Sequence, residues 1–93
     1  MLHISEAVRI KLATRHKVSE AEVMEAFANR DGGLLEDTRA QNQTIPPTLW
    51  FVAQTHRGRL LKIVFIRDGG RVFLKTAYEP NIEEQRIYEK YKD

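Results

Sequence analysis

The chain has 93 residues, is 42% hydrophobic and contains no cysteine. This length and composition suit one compact domain, and the lack of cysteine excludes a disulfide scaffold and thiol chemistry. With only three histidines, a zinc site is not expected either. Neither a signal peptide nor an apolar run of about 20 residues is visible. We therefore expect a single cytoplasmic domain, 1–93, that uses no metal, no cofactor and no membrane.

Two helices are predicted in the first third of the chain. Ser5 can cap the first helix, in which apolar residues recur every four positions. The second begins in "KVSEAEVMEAFANRDGG", where Ser19 and Glu22 have the spacing of a capping box. Gly32 and Gly33 are expected to end it.

Four strands and a last helix are predicted to follow. "GLLEDTR" is a weak strand pattern, and "AQNQTIPP" reads as a loop. The stronger patterns "TLWFVAQT" (48–55), "RLLKIVFI" (59–66) and "RVFLKTA" (71–77) are separated by turns at Gly58 and "RDGG". Asn81 can cap the helix "NIEEQRIYEKYKD". The predicted fold is α+β, in the order α-α-β-β-β-β-α: two N-terminal helices, a four-stranded antiparallel β-meander and a C-terminal helix.

Alternation along the last three strands assigns their side chains to two faces. A three-residue first turn places Phe51 opposite Ile63, and a two-residue second turn extends the pairing to the last strand. The predicted core face holds Leu49, Phe51, Ala53, Leu61, Ile63, Phe65, Val72 and Leu74. The second face holds Trp50, Val52, Gln54, Lys62, Val64, Arg71, Phe73 and Lys75.

Positive charge is concentrated on these strands, since residues 47–79 carry a net +4 whereas the segments before and after each carry −1. Cations interleaved with Trp50 and Phe73 suit single-stranded nucleic acid, because phosphates meet the cations and bases stack on the rings. The alternative is that the final helix covers both rings and that the lysine stems pass around it into water. The RNA interpretation requires the cations to share one open surface. The cations are Arg57, Arg59, Lys62, Arg67, Arg71 and Lys75.

The order of elements and three segments, "RHKVSEAEV", "VFIR" and "KTAYEPNIEEQRIYEKY", resemble BrnT-type toxins of the wider RelE/ParE superfamily. The resemblance covers nearly the whole chain. His16 in "RHKVS", Arg67 at the end of "IVFIR" and Tyr88 in the last helix match positions of the family pattern. The resemblance implies the toxin component of a bacterial type II toxin–antitoxin system, which binds and cleaves RNA and is held by a cognate antitoxin. Whether it forms a homodimer is left open.

Two positions depart from this family. Its aromatic-Trp-Asp opening is replaced by "HISEAV", and Tyr78 stands where an Arg usually follows the last strand. Because both places carry active-site residues in the family, a non-catalytic nucleic-acid- or protein-binding module of the same fold is the alternative. A second resemblance, to short chains labelled ADP-ribosyl-(dinitrogen reductase) hydrolase, implies a further alternative, a hydrolase that releases ADP-ribose and binds metal through clustered carboxylates. The acidic residues available for that role are scattered along the sequence: Glu36, Asp37, Asp68 and Glu79.

Metal-independent RNA cleavage by the 2′-hydroxyl needs a base, an acid and cations on the phosphoryl oxygens. Arg67 is predicted to clamp the phosphate, because a guanidinium can hold two of its oxygens. His16 is an acid or base candidate, with a helix-dipole role as its alternative, and Tyr78 is expected at the sheet rim. The catalytic prediction is thus Arg67, His16 and Tyr78. The RNA-contact prediction is Lys62, Arg71, Lys75, Arg57 and Arg59.

Overall fold

A computed structural model describes residues 1–39 and 43–93, which form a five-stranded mixed sheet with three helices packed on it. The strand order is β1-β5-β4-β3-β2, in which β1 runs parallel to β5 and the other neighbours are antiparallel. The elements in chain order are β1 (Leu2–His3), α1 (Glu6–Lys11) continued by a π-helical segment (Leu12–His16), α2 (Glu20–Ala28), β2 (Leu35–Glu36), β3 (Thr48–Gln54), β4 (Leu60–Asp68), β5 (Arg71–Tyr78) and α3 (Ile82–Tyr91).

The α+β class is confirmed, whereas the purely antiparallel four-stranded meander is wrong in detail. The strand β1, which pairs Leu2 with Val72 and His3 with Phe73, was not predicted. Two residues are too few to show the alternation that identifies a strand. The loop prediction holds for 43–47, while residues 40–42 lie outside the described residues.

Local capping defines where each helix begins. Ser5 accepts a backbone N–H at the start of α1. Ser19 and Glu22 form the predicted capping box of α2, with bonds of 3.1 and 3.0 Å. Asn81 and Glu84 form a second box at α3, with bonds of 2.8 and 3.0 Å. Each box satisfies two backbone N–H groups that would otherwise lack a partner.

The strand register agrees with the prediction along β3 and β4, where Phe51 lies opposite Ile63. The β4–β5 pairing contains a β-bulge that sequence analysis did not foresee, because Lys75 is an additional residue on β5. Residues after a bulge change face relative to an unbroken alternation. This shift places Tyr78 directly opposite Lys62.

The predicted core face is buried under the two N-terminal helices. Phe27 of α2 packs against Phe51 and Phe65 with ring centroids 5.0 and 5.3 Å apart. Six of the eight predicted core residues are buried, and the other two, Leu49 and Val72, are partly buried. The alternation of apolar side chains therefore identified this face correctly.

The second sheet face is covered in part by α3. Trp50 is only 7% exposed and packs against Tyr88, with ring centroids 5.8 Å apart. The Tyr88 hydroxyl donates to the Gly33 carbonyl at 2.8 Å, and a Cβ on Gly32 would lie 2.6 Å from that hydroxyl. The glycines thus allow α3 to approach closely. The covered-ring alternative is correct for Trp50 but wrong for Phe73, which is 39% exposed.

Candidate functional site: a cleft at α3 and the β4–β5 hairpin

Lys62 lies beneath α3 and is only 5% exposed. Its Nζ donates to Glu84 Oε2 at 2.8 Å and lies 4.5 Å from the centroid of the Trp50 ring. Both contacts compensate an ammonium group that has left water. The expectation that this lysine extends into solvent is therefore wrong, and so is the prediction that it contributes a free charge to an open phosphate-binding surface.

Tyr78 donates to the same carboxylate oxygen of Glu84 at 2.7 Å. Burial, together with the hydrogen bond to Glu84, raises the pKa of Tyr78 to about 12. Burial would raise the pKa of Glu84 as well, but hydrogen bonds from Lys62, the Asn81 backbone and Tyr78 outweigh it and hold that pKa below its usual value. Tyr78 is therefore a protonated donor at neutral pH and is unsuited to act as a base.

A second ion pair lies beside the first. Arg39 Nε and Nη2 donate to the two oxygens of Asp37 at 3.1 and 2.9 Å. The Asp37 side chain is 6% exposed, and the Arg39 hydrogen bonds hold the pKa of Asp37 below its usual value. Both residues line a cleft of about 510 Å³, here called the α3 cleft. Lys62, Glu84 and Trp50 line it too, and Ile87 and Tyr91 form its α3 wall.

Arg59 is held within the protein rather than offered to a ligand. Its Nε donates to Glu79 at 2.8 Å, and its Nη1 donates to Glu22 at 3.0 Å. The same guanidinium donates to the carbonyls of Lys17 at 2.8 Å and His16 at 3.1 Å. Burial would lower the pKa of Arg59, but the two carboxylates reverse this and raise it. Arg59 therefore ties β4 to the connection between α1 and α2.

The expectation that the six cations share one open surface is consequently wrong. Arg59 and Lys62 are neutralised by carboxylates of the same chain. Arg57 lies in the β3–β4 turn, at the opposite end of β4 from Arg67 and Arg71. The nine residues of β4 span roughly 26 Å. Arg57, Arg59 and Lys62 are therefore not parts of a common surface.

The other three cations, Arg67, Arg71 and Lys75, do share the β4–β5 hairpin. Within residues 1–39 and 43–93 none of them forms a salt bridge. Phe73 lies between Arg71 and Lys75, and its exposed ring stacks on His3 with centroids 5.1 Å apart and planes 19° apart. We call Arg71, Phe73 and Lys75 the β5 strip. Unlike the α3 cleft, it combines cations that lack a carboxylate partner with an accessible aromatic ring.

The three residues predicted to be catalytic do not converge. The rings of His16 and Tyr78 are neighbours, with centroids 5.5 Å apart. Arg67 pairs with Val72, six residues along β5 from Tyr78, which is roughly 20 Å. The structure thus brings His16 and Tyr78 together and leaves Arg67 at the β4–β5 turn, on the opposite face from Arg71 and Phe73.

Sequence reasoning missed three residues of the α3 cleft: Glu84, Asp37 and Arg39. For Glu84 a signal existed, because the capping-box spacing from Asn81 fixes it in the first turn of α3, six residues after Tyr78. No comparable signal marks the Asp37–Arg39 pair. Among the described residues, no three His, Asp or Glu side chains are grouped so that they could hold a metal ion.

The comparisons with known proteins place no name on this site. No protein-family model matches the chain, and no curated protein is significantly similar to it. In the described ranges, no helix has the length and apolar character needed to cross a membrane. The α3 cleft and the β5 strip are the two features of the described residues that bear on function.

Proposed function

We propose that the chain is a toxin-like, RNA-directed module that binds single-stranded RNA along the β5 strip. Arg71 and Phe73 are two residues apart and project from one face of β5, and Lys75 follows at the bulge. Phosphates can pair with the two cations while a base stacks on the exposed ring. Arg67 pairs with Val72, so it lies on the other face of the same hairpin and is not counted in the strip.

The observation that carries this proposal is the grouping of unneutralised cations beside an exposed aromatic ring. Like charges on neighbouring positions of a sheet repel each other, and an anion between them relieves that repulsion. Lys62 and Arg59 have such anions within the chain, namely Glu84, Glu22 and Glu79. At the hairpin, Asp68 lies opposite Arg71 in the register, but within the described residues neither Arg71 nor Lys75 forms a salt bridge, so a polyanion is a partner that suits them.

The test is binding of a fluorescently labelled, uridine-rich RNA of about ten nucleotides, followed by anisotropy over a range of salt concentrations. We expect the double variant Arg71→Ala/Lys75→Ala to bind at least tenfold more weakly at low salt. Its slope of log affinity against log salt should fall by about 0.7 per lost phosphate contact. Phe73→Leu should weaken binding about tenfold, because an aliphatic side chain cannot stack on a base.

Arg57→Ala is the matched control, because Arg57 is an exposed cation at the far end of the sheet. It should bind RNA as the unmodified chain does. Equal binding by all variants, or no binding at low salt, would contradict the proposal.

RNA cleavage is a second candidate, favoured by the contact between His16 and Tyr78. The imidazole of His16 can transfer protons in 2′-hydroxyl attack, whereas Tyr78, with its raised pKa and its hydroxyl bonded to Glu84, can only help to position that ring. Cleavage of the same RNA should then fall at least a hundredfold in His16→Gln. If the unmodified chain releases no RNA cleavage products, the catalytic candidate is refuted and only RNA binding is left.

The antitoxin is part of the proposed function, since a partner with acidic segments would occupy the same hairpin. We expect a small co-directional neighbouring gene to encode it. Its product should compete with RNA for the chain, and Arg71→Ala/Lys75→Ala should weaken that competition. Simultaneous binding of both would place the partner elsewhere.

A further inference from the structure

The α3 cleft contains hydrogen-bond donors that the chain itself does not use. An ammonium group has three N–H donors; Lys62 gives one to Glu84, and its other neighbours, the Trp50 and Tyr78 rings at 4.5 and 5.7 Å, are not hydrogen-bond acceptors of the usual kind. A guanidinium has five, and Arg39 gives two side-chain donors to Asp37 among the described residues. Lys62 lines the cleft although only 5% of the residue is exposed. The cleft therefore offers N–H groups to an acceptor that enters it.

The charges of the cleft select against an ionic ligand. Lys62 is balanced by Glu84 and Arg39 by Asp37, while Glu36 adds a carboxylate at the wall. This excess of negative charge opposes an anion, and the unused donors oppose a cation. The arrangement suits a neutral molecule that carries acceptor atoms.

The walls of the cleft favour a flat, largely apolar ring. Ile87 and Tyr91 are four residues apart, so they lie on one face of α3, and they are 38% and 57% exposed. Trp50 lies on the other side beneath the Lys62 ammonium group. A volume of about 510 Å³ is within the usual range of small-molecule sites.

We infer that the α3 cleft binds a carbonyl-bearing nucleobase, such as uracil, with its ring against Tyr91 and its oxygens towards Lys62 and Arg39. The inference deepens the proposed function, because an RNA strand on the β5 strip would supply the base. Lys62 is four residues along β4 from Ile66, the residue opposite Phe73, which is roughly 13 Å. One short strand of RNA can therefore reach both places.

The test uses free uridine, which has no phosphate and so avoids the β5 strip. Trp50 is the only tryptophan of the chain, and its fluorescence, excited at a wavelength where uridine does not absorb, reports the cleft directly. We expect a saturable change with uridine. Adenosine should bind at least fivefold more weakly, because its amino group would face the donors of the cleft. Benzyl alcohol, an aromatic ring without carbonyl groups, should also bind at least fivefold more weakly.

Substitutions at the wall separate recognition from folding. Tyr91→Ala should weaken uridine binding at least fivefold, whereas Tyr91→Phe, which keeps the ring, should bind normally. Arg39→Gln tests the donor at the exposed end of the cleft without removing the buried Lys62, and it should weaken uridine more than benzyl alcohol. Arg86→Ala is the control, because Arg86 is an exposed residue of α3 that does not line the cleft.

The inference is overturned by any of three results: no response to uridine, equal binding of benzyl alcohol, or an unchanged response in Tyr91→Ala. These results are distinguishable from failure of the proposed function. Uridine binding without RNA binding would support a nucleobase site and refute the β5 strip. RNA binding that depends on Arg71 and Lys75, without uridine binding, would refute only the nucleobase site.

Discussion

The α3 cleft and the β5 strip contain cations from neighbouring strands, Lys62 of β4 and Arg71 and Lys75 of β5, but their surroundings are opposite. Lys62 is buried, hydrogen-bonded to Glu84 and covered by α3. Arg71 is exposed, and among the described residues it has no salt-bridge partner. The difference arises because the chain turns at Pro80 and returns as α3 over one end of the sheet only. A cation on a strand is therefore neutralised by the element that packs on it, whatever its neighbours in sequence.

This difference has an energetic consequence. A buried ion pair adds little stability compared with apolar residues of the same size, but removal of one partner is costly, because the other charge stays buried without compensation. Replacing an exposed cation that lacks a partner leaves no buried charge uncompensated, so the free energy of unfolding changes much less. We therefore expect substitutions in the α3 cleft to change the free energy of unfolding and those at the β5 strip to change ligand binding.

The largest effect is expected for Glu84→Gln, which leaves Lys62 buried without a counter-charge. The free energy of unfolding should fall by about 3 kcal/mol. Urea denaturation followed by Trp50 fluorescence measures it. Glutamine can still complete the capping box through its oxygen, so the loss reports the contacts of the other carboxylate oxygen with Lys62 and Tyr78 rather than the helix cap. Glu83→Gln, one residue earlier and exposed, should change stability by less than about 0.5 kcal/mol; equal effects of the two would refute a special role for the cleft.

Arg59→Ala should be the next most damaging. It removes hydrogen bonds to two carboxylates and two backbone carbonyls, and bonds of this charged type are worth about 1.5–3 kcal/mol. Since the Arg59 side chain is 25% exposed, we expect a loss of about 2 kcal/mol by urea denaturation. Arg57→Ala, in the adjacent turn, is the control and should be nearly neutral. Unchanged stability of Arg59→Ala would show that the connection between α1 and α2 does not need the hydrogen bonds of Arg59.

Tyr78→Phe should cost about 1 kcal/mol at neutral pH, because one hydrogen bond to Glu84 is lost. The pH dependence of the free energy of unfolding shows whether the lost contribution is that of the Tyr78 hydroxyl. The pKa of Tyr78 is raised from 10 to about 12, so its contribution is complete below pH 10 and is lost as the pH rises towards 12. Denaturation between pH 9 and 12 should therefore show a shallower decline in Tyr78→Phe, whereas parallel curves would contradict the raised pKa.

The smallest effects on stability are expected at the hairpin. Arg67→Ala and Arg71→Ala should change the free energy of unfolding by no more than about 0.5 kcal/mol, as is usual for exposed side chains. Asp68 lies opposite Arg71 in the register, but an exposed pair of this kind contributes little. A loss above 1 kcal/mol in thermal or urea denaturation would mean that these cations have a structural partner, and the contrast with Lys62 would disappear.

Much of the fold could be predicted because its signals are local. Ser19 and Glu22 marked the start of α2, and the alternation in "RLLKIVFI" and its turns fixed Phe51 opposite Ile63. The turn at Gly69 and Gly70 was also readable, since both adopt the positive φ of 58° and 79° that a tight hairpin turn requires. These features depend on a few adjacent residues and on the two-residue period of a strand.

The candidate site residues could be predicted only where residues close in sequence bring them together. The grouping of Arg67, Arg71 and Lys75 follows from the hairpin turn, and it was predicted. The burial of Lys62 was not predicted, nor were the roles of Glu84, Asp37 and Arg39. The bulge at Lys75 moves Tyr78 opposite Lys62, and no pattern of apolar and polar residues reports such a bulge.

The sequence by itself determined the helix starts, the strands, the apolar core face and the positive hairpin. Only the tertiary structure decided which cations are neutralised, which aromatic ring is exposed and where a cleft forms. The physical reason is distance along the chain. Caps and alternation act within a few residues, whereas a carboxylate cancels a buried charge only when packing brings it to about 3 Å, and Glu84 reaches Lys62 from 22 residues away.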